Sequence, residues 1–321
     1  MSQSPRFLAP FEQGLLADAA SLLVIRAPDA LGLSEFGSVT IEQGFFPTFT
    51  ALENAGFSVT PRAEGHFGMV VVNLTRSKAE NLSAIARACD MSEGMVLVNG
   101  SKTDGIESLL KLVKKVTPVE VISKAHGKVF WFEATPMPSE WRTKGKMAAN
   151  QAGFQTAPGM FSSEKVDTGS ALLAPHLEGL KERVADLGAG WGWLSAQALG
   201  DDVSEIVLIE AEHMALEAAK ANLKDARAKF LWADVLALPK AEPFDVVISN
   251  PPFHQGRAAA PEIGVGFIKS AAEMLKPKGR FLMVANRQLP YERTLNACFR
   301  KVEILGQTNG FKLFAASLPT R

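Results

Sequence analysis

Asp186-Leu187-Gly188-Ala189-Gly190-Trp191-Gly192 follows an apolar run and opens a stretch with helical spacing. Glycines there let the backbone turn tightly and approach a ligand, and a helix start offers free N–H groups. A glycine-rich turn without a ligand fits the same residues. Glu210 stands 24 residues after Asp186, at the end of the run EIVLIE. An acid at that place can accept both hydroxyls of a ribose, or be a solvated acid at a strand end. Asp234 follows 24 residues later, closing AKFLWAD. It offers an acceptor for an adenine amine, or an N-cap for the next turn. Asn250-Pro251-Pro252-Phe253 comes directly after FDVVIS. Two prolines fix the backbone, so the Asn250 side chain and the nearby carbonyl can grip an exocyclic amine. Phe253 offers a face for a planar base. His254 either helps orient that base or caps the loop. A rigid loop with no chemistry is the plain alternative for Pro-Pro.

The elements that must hold these residues form a strand-and-helix alternation. In the second half the pattern predicts strands at 184–187, 205–210, 228–234, 244–250 and 281–286, with helices at 213–223 and 263–275. Lys276-Pro277-Lys278-Gly279 should stop the second of these helices. Two closing strands flank Thr308-Asn309-Gly310, a hairpin signal. In the first half, strands are predicted at 69–74, 95–100, 119–126 and 128–135, with helices after Leu74 and over 105–116. Phe45, Phe46 and Phe49 read as core. Strands separated by helices imply βαβ units and a parallel sheet. The expected domains are 1–135 and 160–321, joined by a linker at 136–159 that begins in the two-proline stretch TPMPSEWRTKGK. Two α/β domains of similar size suggest duplication, although no residue-level repeat is visible.

Composition bounds the rest. Hydrophobic residues make up 47% and charged residues 21% of the chain, a globular balance. No apolar run reaches the roughly 18 residues of a membrane span, and MSQSPRFLAPFEQG lacks the pattern of a signal peptide. Cys89 and Cys298 are too few and too distant for a disulfide framework or a zinc site, so a reducing cytoplasm and no metal are expected. Basic and acidic residues number 34 each, so net charge does not argue for nucleic acid. Local patches do. Lys276, Lys278, Arg280, Arg287, Arg293, Arg300 and Lys301 fall within 276–301 against one acid, Glu292, and Arg142, Lys144, Lys146 and Lys165 flank the linker. They suit contacts to phosphate, or an ordinary solvated face.

The order of glycine loop, acid, acid and N-P-P-F at successive strand ends resembles class I S-adenosylmethionine-dependent methyltransferases. It differs from a dinucleotide-binding domain, whose loop has G-x-G-x-x-G spacing. Phe161-Ser162, Lys165-Val166-Asp167-Thr168-Gly169-Ser170, Leu172-Leu173 and Asn250-Pro251-Pro252-Phe253-His254 are similar to the RsmC and RlmG family of rRNA guanine-N2 methyltransferases. So are Val284-Ala285-Asn286, Leu289-Pro290-Tyr291 and Gly310-Phe311-Lys312-Leu313. The likeness covers about 160–318, and weakly 65–135. It departs from the family at Trp191 and Trp193, which crowd a loop where smaller residues are usual.

The resemblance implies an α/β fold of two tandem Rossmann-like methyltransferase domains, the N-terminal one degenerate and the C-terminal one catalytic. It implies S-adenosyl-L-methionine as cofactor, bound by Asp186, Gly188, Ala189, Gly190, Glu210 and Asp234. Asn250, Pro251, Pro252 and Phe253 would act on the exocyclic N2 of a guanine in ribosomal RNA, the small subunit favoured. The partner would be ribosomal RNA or a ribosomal subunit, with no membrane, and the enzyme a monomer. N-methylation of a protein glutamine or of DNA adenine, and a non-catalytic RNA-binding assembly factor, stay open as alternatives.

Overall fold

The computed structural model describes residues 5–239, 242–252, 254–255, 258–259, 261–308 and 310–320. Phe253, the side chain of His254 and Asn309 of the expected hairpin lie outside these. The chain divides into two compact units, Met1–Met147 with Ala157–Gly159, and Ala148–Thr156 with Met160–Arg321.

The first unit runs α1 (Ala9–Glu12), β1 (Leu22–Ile25), β2 (Val39–Glu42), α2 (Phe46–Asn54), β3 (Ser58–Thr60), β4 (Phe67–Asn73), α3 (Lys78–Met91), β5 (Ser92–Ser101), α4 (Ile106–Val113), β6 (Glu120–Lys124), β7 (Gly127–Glu133) and α5 (Ser139–Thr143). Its seven strands are ordered β3-β2-β1-β4-β5-β7-β6. The strands β3, β2, β1, β4 and β5 are mutually parallel, and β7 joins antiparallel to both β5 and β6. Strands β1 to β3 precede Met69, where sequence periodicity predicts nothing. Each is only three or four residues long, too short to show a period. Phe45, Phe46 and Phe49 are half-buried beside and on α2 rather than in the core.

The second unit runs β8 (Ala148–Ala149), β9 (Gln155–Thr156), α6 (Thr168–Leu173), β10 (Glu182–Leu187), α7 (Trp193–Ala198), β11 (Val203–Glu210), α8 (His213–Asn222), β12 (Ala228–Trp232), β13 (Phe244–Ser249), β14 (His254–Gln255), β15 (Ala258–Ala259), α9 (Pro261–Met274), β16 (Leu275–Asn286), α10 (Glu292–Cys298), β17 (Phe299–Gln307) and β18 (Phe311–Pro319). Its large sheet is ordered β12-β11-β10-β13-β16-β18-β17, the same winding as the first. Side chains alternate between two cores. Val184, Ile206, Leu208 and Ile248 enter one, and Ala185, Leu187, Ile209 and Val247 the other. Burial on both faces explains why these strands read as continuous apolar runs.

Two local expectations change. Helix α9 ends at Met274, ahead of Lys276 as expected, but Lys276–Gly279 already belongs to β16, which starts at Leu275 rather than 281. The register of β13 on β16 slips there, Phe244 opposing Leu275 and Val246 opposing Arg280. An irregularity of this kind tolerates Pro277, which has no N–H to give a ladder. The 136–159 stretch, expected as linker, is packed. Met137 and Trp141 are buried in the first unit's core, and α5 is fixed by the ion pair of Arg142 with Asp90. Residues 148–156 form the β8–β9 hairpin of the second unit. Among the described residues, no helix is long and apolar enough to cross a membrane, and no three His, Cys, Asp or Glu side chains group to hold a metal.

Candidate active site

In the second sheet β10 lies between β11 and β13. The chain winds outward in opposite directions from β10 and β13, so a crevice opens at their carboxyl ends. The glycine loop enters that crevice from β10 and Asn250 enters it from β13. Ser249, fully buried, donates from Oγ to the Leu187 carbonyl at 2.7 Å and ties the two strand ends together.

Gly188 and Gly190 hold φ of +70° and +56°, a region that costs other residues about 1–2 kcal/mol. A Cβ on Gly188 would come within 3.1 Å of Phe267 Cε1 and 3.9 Å of Pro252 Cδ. The Pro-Pro turn and α9 therefore pack directly on the loop. A Cβ on Gly190 would meet nothing within 4 Å, so the loop's open side is there.

Glu210 holds this loop from the next strand. Its Oε2 accepts the Gly190 N–H at 2.8 Å and its Oε1 accepts the Glu212 N–H at 2.8 Å. Burial raises its carboxyl above the usual carboxylate range, against the pull of those N–H groups. Asp186 lies beneath, fully buried, with Oδ2 accepting from Ser195 Oγ at 2.7 Å. Burial pushes its carboxyl up to about 7, opposed by the Ser195 hydrogen bond and aided by the Glu210 charge. Its Oδ1 is buried with no hydrogen-bond partner among the described residues. Asp234 caps the turn that follows it, Oδ1 accepting from the Leu236 N–H at 2.8 Å.

The two tryptophans brace the site. Trp191 is buried; its Nε1–H donates to the Phe161 carbonyl at 3.0 Å, and its ring packs on Phe154 with centroids 5.3 Å apart. Asn222 bonds the Trp191 carbonyl at 2.8 Å and the β9 backbone. Trp191 thus fastens the 161 segment to the glycine loop. Trp193 packs on the core below.

Asn250 is anchored on its nitrogen. Nδ2 donates to Asp167 Oδ2 at 2.8 Å and to Ser170 Oγ at 2.9 Å. Both amide hydrogens are used, and only the Oδ1 acceptor remains.

A cleft is lined by Phe161, Ser162, Val166, Asp167, Ser170, Gly188, Ala189, Gly190, Trp191, Trp193, Leu194 and Asn250. Of the residues singled out from sequence, it brings together Gly188, Ala189, Gly190 and Asn250. Glu210 adjoins through Gly190, Pro252 supports Gly188 from behind, and Asp186 stays under the loop. Pro251 is buried and Asp234 half-buried outside the lining. Asp167 and Ser170 received no role from sequence. Their spacing, an acidic N-cap with Ser three residues on, signals a helix start, and the Asp167 side chain does accept the Ser170 N–H at 2.9 Å. That signal says nothing of Asn250, 80 residues away. Gly190's open side and the spare lone pairs of Glu210 and Asp234 fit a ligand presenting hydroxyl and amine donors.

The basic run at 276–301 does not make one patch. Arg280 and Lys301 both lie opposite Ser317 of β18, and Lys278 is close by along β16. That is the sheet end away from the cleft, roughly 20 Å along the strand from Asn286 at about 3.3 Å per residue. Lys276 pairs with Asp245 at 2.8 Å and Lys301 with Glu303 at 2.7 Å. Arg287, just past β16, is exposed at the cleft end.

The first unit repeats the frame without the site. Ile25 pairs with Glu42 and Val72, as Leu187 pairs with Ile209 and Ser249. Arg26, at φ +61°, therefore stands where Gly188 does, Gln43 where Glu210 does and Asn73 where Asn250 does. Gln43 keeps the bond to the N–H two residues on, from Phe45 at 2.9 Å, but its Nε2 donates to the Ala27 carbonyl. The carbonyl of Asn73 is occupied by Asn99 Nδ2 at 2.7 Å. The glycine, the carboxylate and an amide carbonyl open to the cleft have no equivalent there.

The methyltransferase small domain matches residues 151–315 of this chain. A ribosomal RNA small subunit methyltransferase C of Shewanella sp. strain MR-4 is 32% identical over 263 residues, spanning 78% of this chain and 77% of the relative. The corresponding protein of Shewanella loihica is 36% identical over 160 residues, 49% of this chain and 46% of its own length. Among solved structures, the T. thermophilus 16S rRNA N2 G1207 methyltransferase (RsmC), in complex with AdoMet and guanosine, superposes with a TM-score of 0.80 at 26% identity. The match covers 95% of this chain and 90% of that one.

Proposed function

The chain belongs to the ribosomal RNA small subunit methyltransferase C family, built on the methyltransferase small domain; from that premise we propose that it methylates the exocyclic N2 of a guanine in small-subunit ribosomal RNA. It is an S-adenosylmethionine-dependent enzyme with two tandem Rossmann-like methyltransferase domains, the second carrying the reaction. The Gly188–Gly190 backbone would cradle the cofactor, Glu210 would accept its ribose hydroxyls and Asp234 its adenine amine. Bound S-adenosylmethionine supplies a methyl group on a positively charged sulfonium.

The protein's own task is to present the amine. The N2 lone pair is delocalised into the guanine ring. Hydrogen bonds from the amine to Asn250 Oδ1 and to a carbonyl of the Pro251–Pro252 turn localise that pair and aim it. Proton loss follows transfer, so no strong base is needed. The base must leave its stack to reach the cleft, and Phe253 is the residue proposed to hold it. The observation that supports this reading best is the anchored Asn250 amide, whose carbonyl, unbonded among the described residues, shares a cleft with Gly188 and Gly190. The reaction belongs in the cytoplasm with the ribosomal subunits, in keeping with Cys89 and Cys298 both being free thiols.

The test is Asn250→Ala, assayed by radiolabelled methyl transfer to small subunits from cells lacking the activity, with nucleoside mass spectrometry of the product. The expected result is a rate lowered by about 10²–10³ with calorimetric cofactor affinity retained. A variant working at the parent rate would overturn the role of Asn250. A product other than N2-methylguanosine would overturn the substrate.

A further inference from the structure

We infer that Asp167 is a positioning residue of the methyl-transfer site, acting through Asn250; the inference rests on the reading above, in which Asn250 receives the target amine. An asparagine side chain has two ends of opposite hydrogen-bonding sense and nearly equal shape. Only the carbonyl end can accept from an amine. The turned amide would offer N–H groups to the N–H groups of guanine N2, and capture would fail. Something must therefore choose the end that faces the substrate. In this protein the choice is made by Asp167 Oδ2, 2.8 Å from Asn250 Nδ2. An ionised carboxylate only accepts, so the amide end beside it is the NH2. Ser170 Oγ takes the second hydrogen at 2.9 Å. Asp167 and Ser170 line the same cleft as Asn250 and the glycine loop, so the anchor sits at the site itself.

The anchor is rigid for a separate reason. Asp167 is the N-cap of α6, and its Oδ2 also accepts the Ser170 N–H at 2.9 Å. Gly169 lets Asp167 and Phe311 approach closely, because a Cβ there would stand 3.0 Å from both Asp167 Oδ2 and Phe311 Cε1. One carboxylate thus starts the helix and orients the amide across 83 residues of sequence.

Because Asp167 caps a helix, the test separates capping from orientation. Asp167→Ser keeps a strong N-cap but is one atom too short to reach Asn250. Asp167→Asn keeps both the cap and a neutral acceptor. For Asp167→Ser we expect kcat to fall by roughly 10- to 100-fold, the worth of a hydrogen bond to a charged group. Calorimetric affinity for S-adenosylmethionine should stay within about twofold and the melting temperature near the parent value. Asp167→Asn should recover most of the rate. Combined with Asn250→Ala, Asp167→Ser should add no further loss, since both changes remove one function. A helix cap alone would move the melting temperature and leave these readouts unchanged. Parent-like kcat in Asp167→Ser overturns the inference, as does a loss fully accounted for by weaker cofactor binding, or additivity with Asn250→Ala. If Asp167→Ser does not fold, Ser170→Ala, which spares the cap, must lower kcat for the inference to stand. Asn250→Ala at the parent rate would sink the parent reading instead, whereas a slow Asn250→Ala beside a fast Asp167→Ser sinks this inference alone.

Discussion

Glu210 accepts the backbone N–H of Gly190 at 2.8 Å, so the second strand of the sheet holds the glycine loop of the first. On the proposed reading the acid has two tasks, shaping the loop and offering its remaining lone pairs to a ribose. Glu210→Gln would set an amide NH2 against the N–H of either Gly190 or Glu212, two donors facing each other. We expect cofactor affinity to fall by roughly 10- to 100-fold, about 1.5–3 kcal/mol for a hydrogen bond involving a charged group. Isothermal titration measures it, and unchanged affinity would reduce Glu210 to a structural acid.

Gly188 and Gly190 share a left-handed backbone but differ in surroundings. Gly188→Ala adds a Cβ 3.1 Å from Phe267, so it should cost strain of about 1–2 kcal/mol plus the shift of α9. Gly190→Ala meets open space and should cost the strain alone, while its methyl group intrudes on the cleft. Thermal denaturation should show the larger loss for Gly188→Ala. Cofactor titration should show a loss for Gly190→Ala beyond what its stability change suggests. Equal melting temperatures would contradict this packing.

Asp186 makes stability depend on pH. Its carboxyl titrates near 7 in the fold and near 3.8 when unfolded. The native state thus binds the proton more tightly, and stability falls as pH rises from about 4 through 7. Above that range the penalty is complete. Asp186→Asn removes the charge, so its melting temperature should vary less than the parent's between pH 5 and 8. Each kcal/mol corresponds to roughly 2–4 °C for a chain somewhat smaller than this one. Parallel curves for the two proteins would show that the burial of Asp186 carries no such cost.

The separation of the basic residues predicts two independent RNA contacts. Arg287→Gln, at the cleft end, and a Lys278→Gln with Arg280→Gln pair, at the far end, should each weaken binding of small-subunit RNA. Their effects should add, since sites more than about 10 Å apart rarely couple. Each lost phosphate contact should reduce the salt slope by about 0.7–0.9. A far-end pair with no effect on binding or slope would confine the footprint to the cleft.

The sequence by itself determined what local physics decides. Apolar runs buried on both faces marked β10, β11 and β13, since such strands cannot hide their character. Glycines in a strand-to-helix turn marked the loop, because few other residues tolerate its φ. The N-P-P turn marked the third strand end, since proline fixes its own backbone. Shorter strands such as β1 and β3 were illegible because three or four residues show no period, and Pro277 hid the early start of β16.

Only the tertiary structure decided what meets across distance. Alternation along β10 puts Asp186 on the face of Val184, so this acid is buried against α7, bonded to Ser195, instead of lining the cleft. Register between strands shows Arg26, Gln43 and Asn73 standing in for Gly188, Glu210 and Asn250, a correspondence that the residue types conceal. Trp191, which reads as an obstruction, is buried against Phe154 with its Nε1–H bonded to the Phe161 carbonyl, and so forms a wall of the cleft. Asp167 reaches Asn250 only because α6 begins beside the carboxyl end of β13. Hydrogen bonds between residues 83 apart leave no local pattern, because neither residue's immediate neighbours depend on the other.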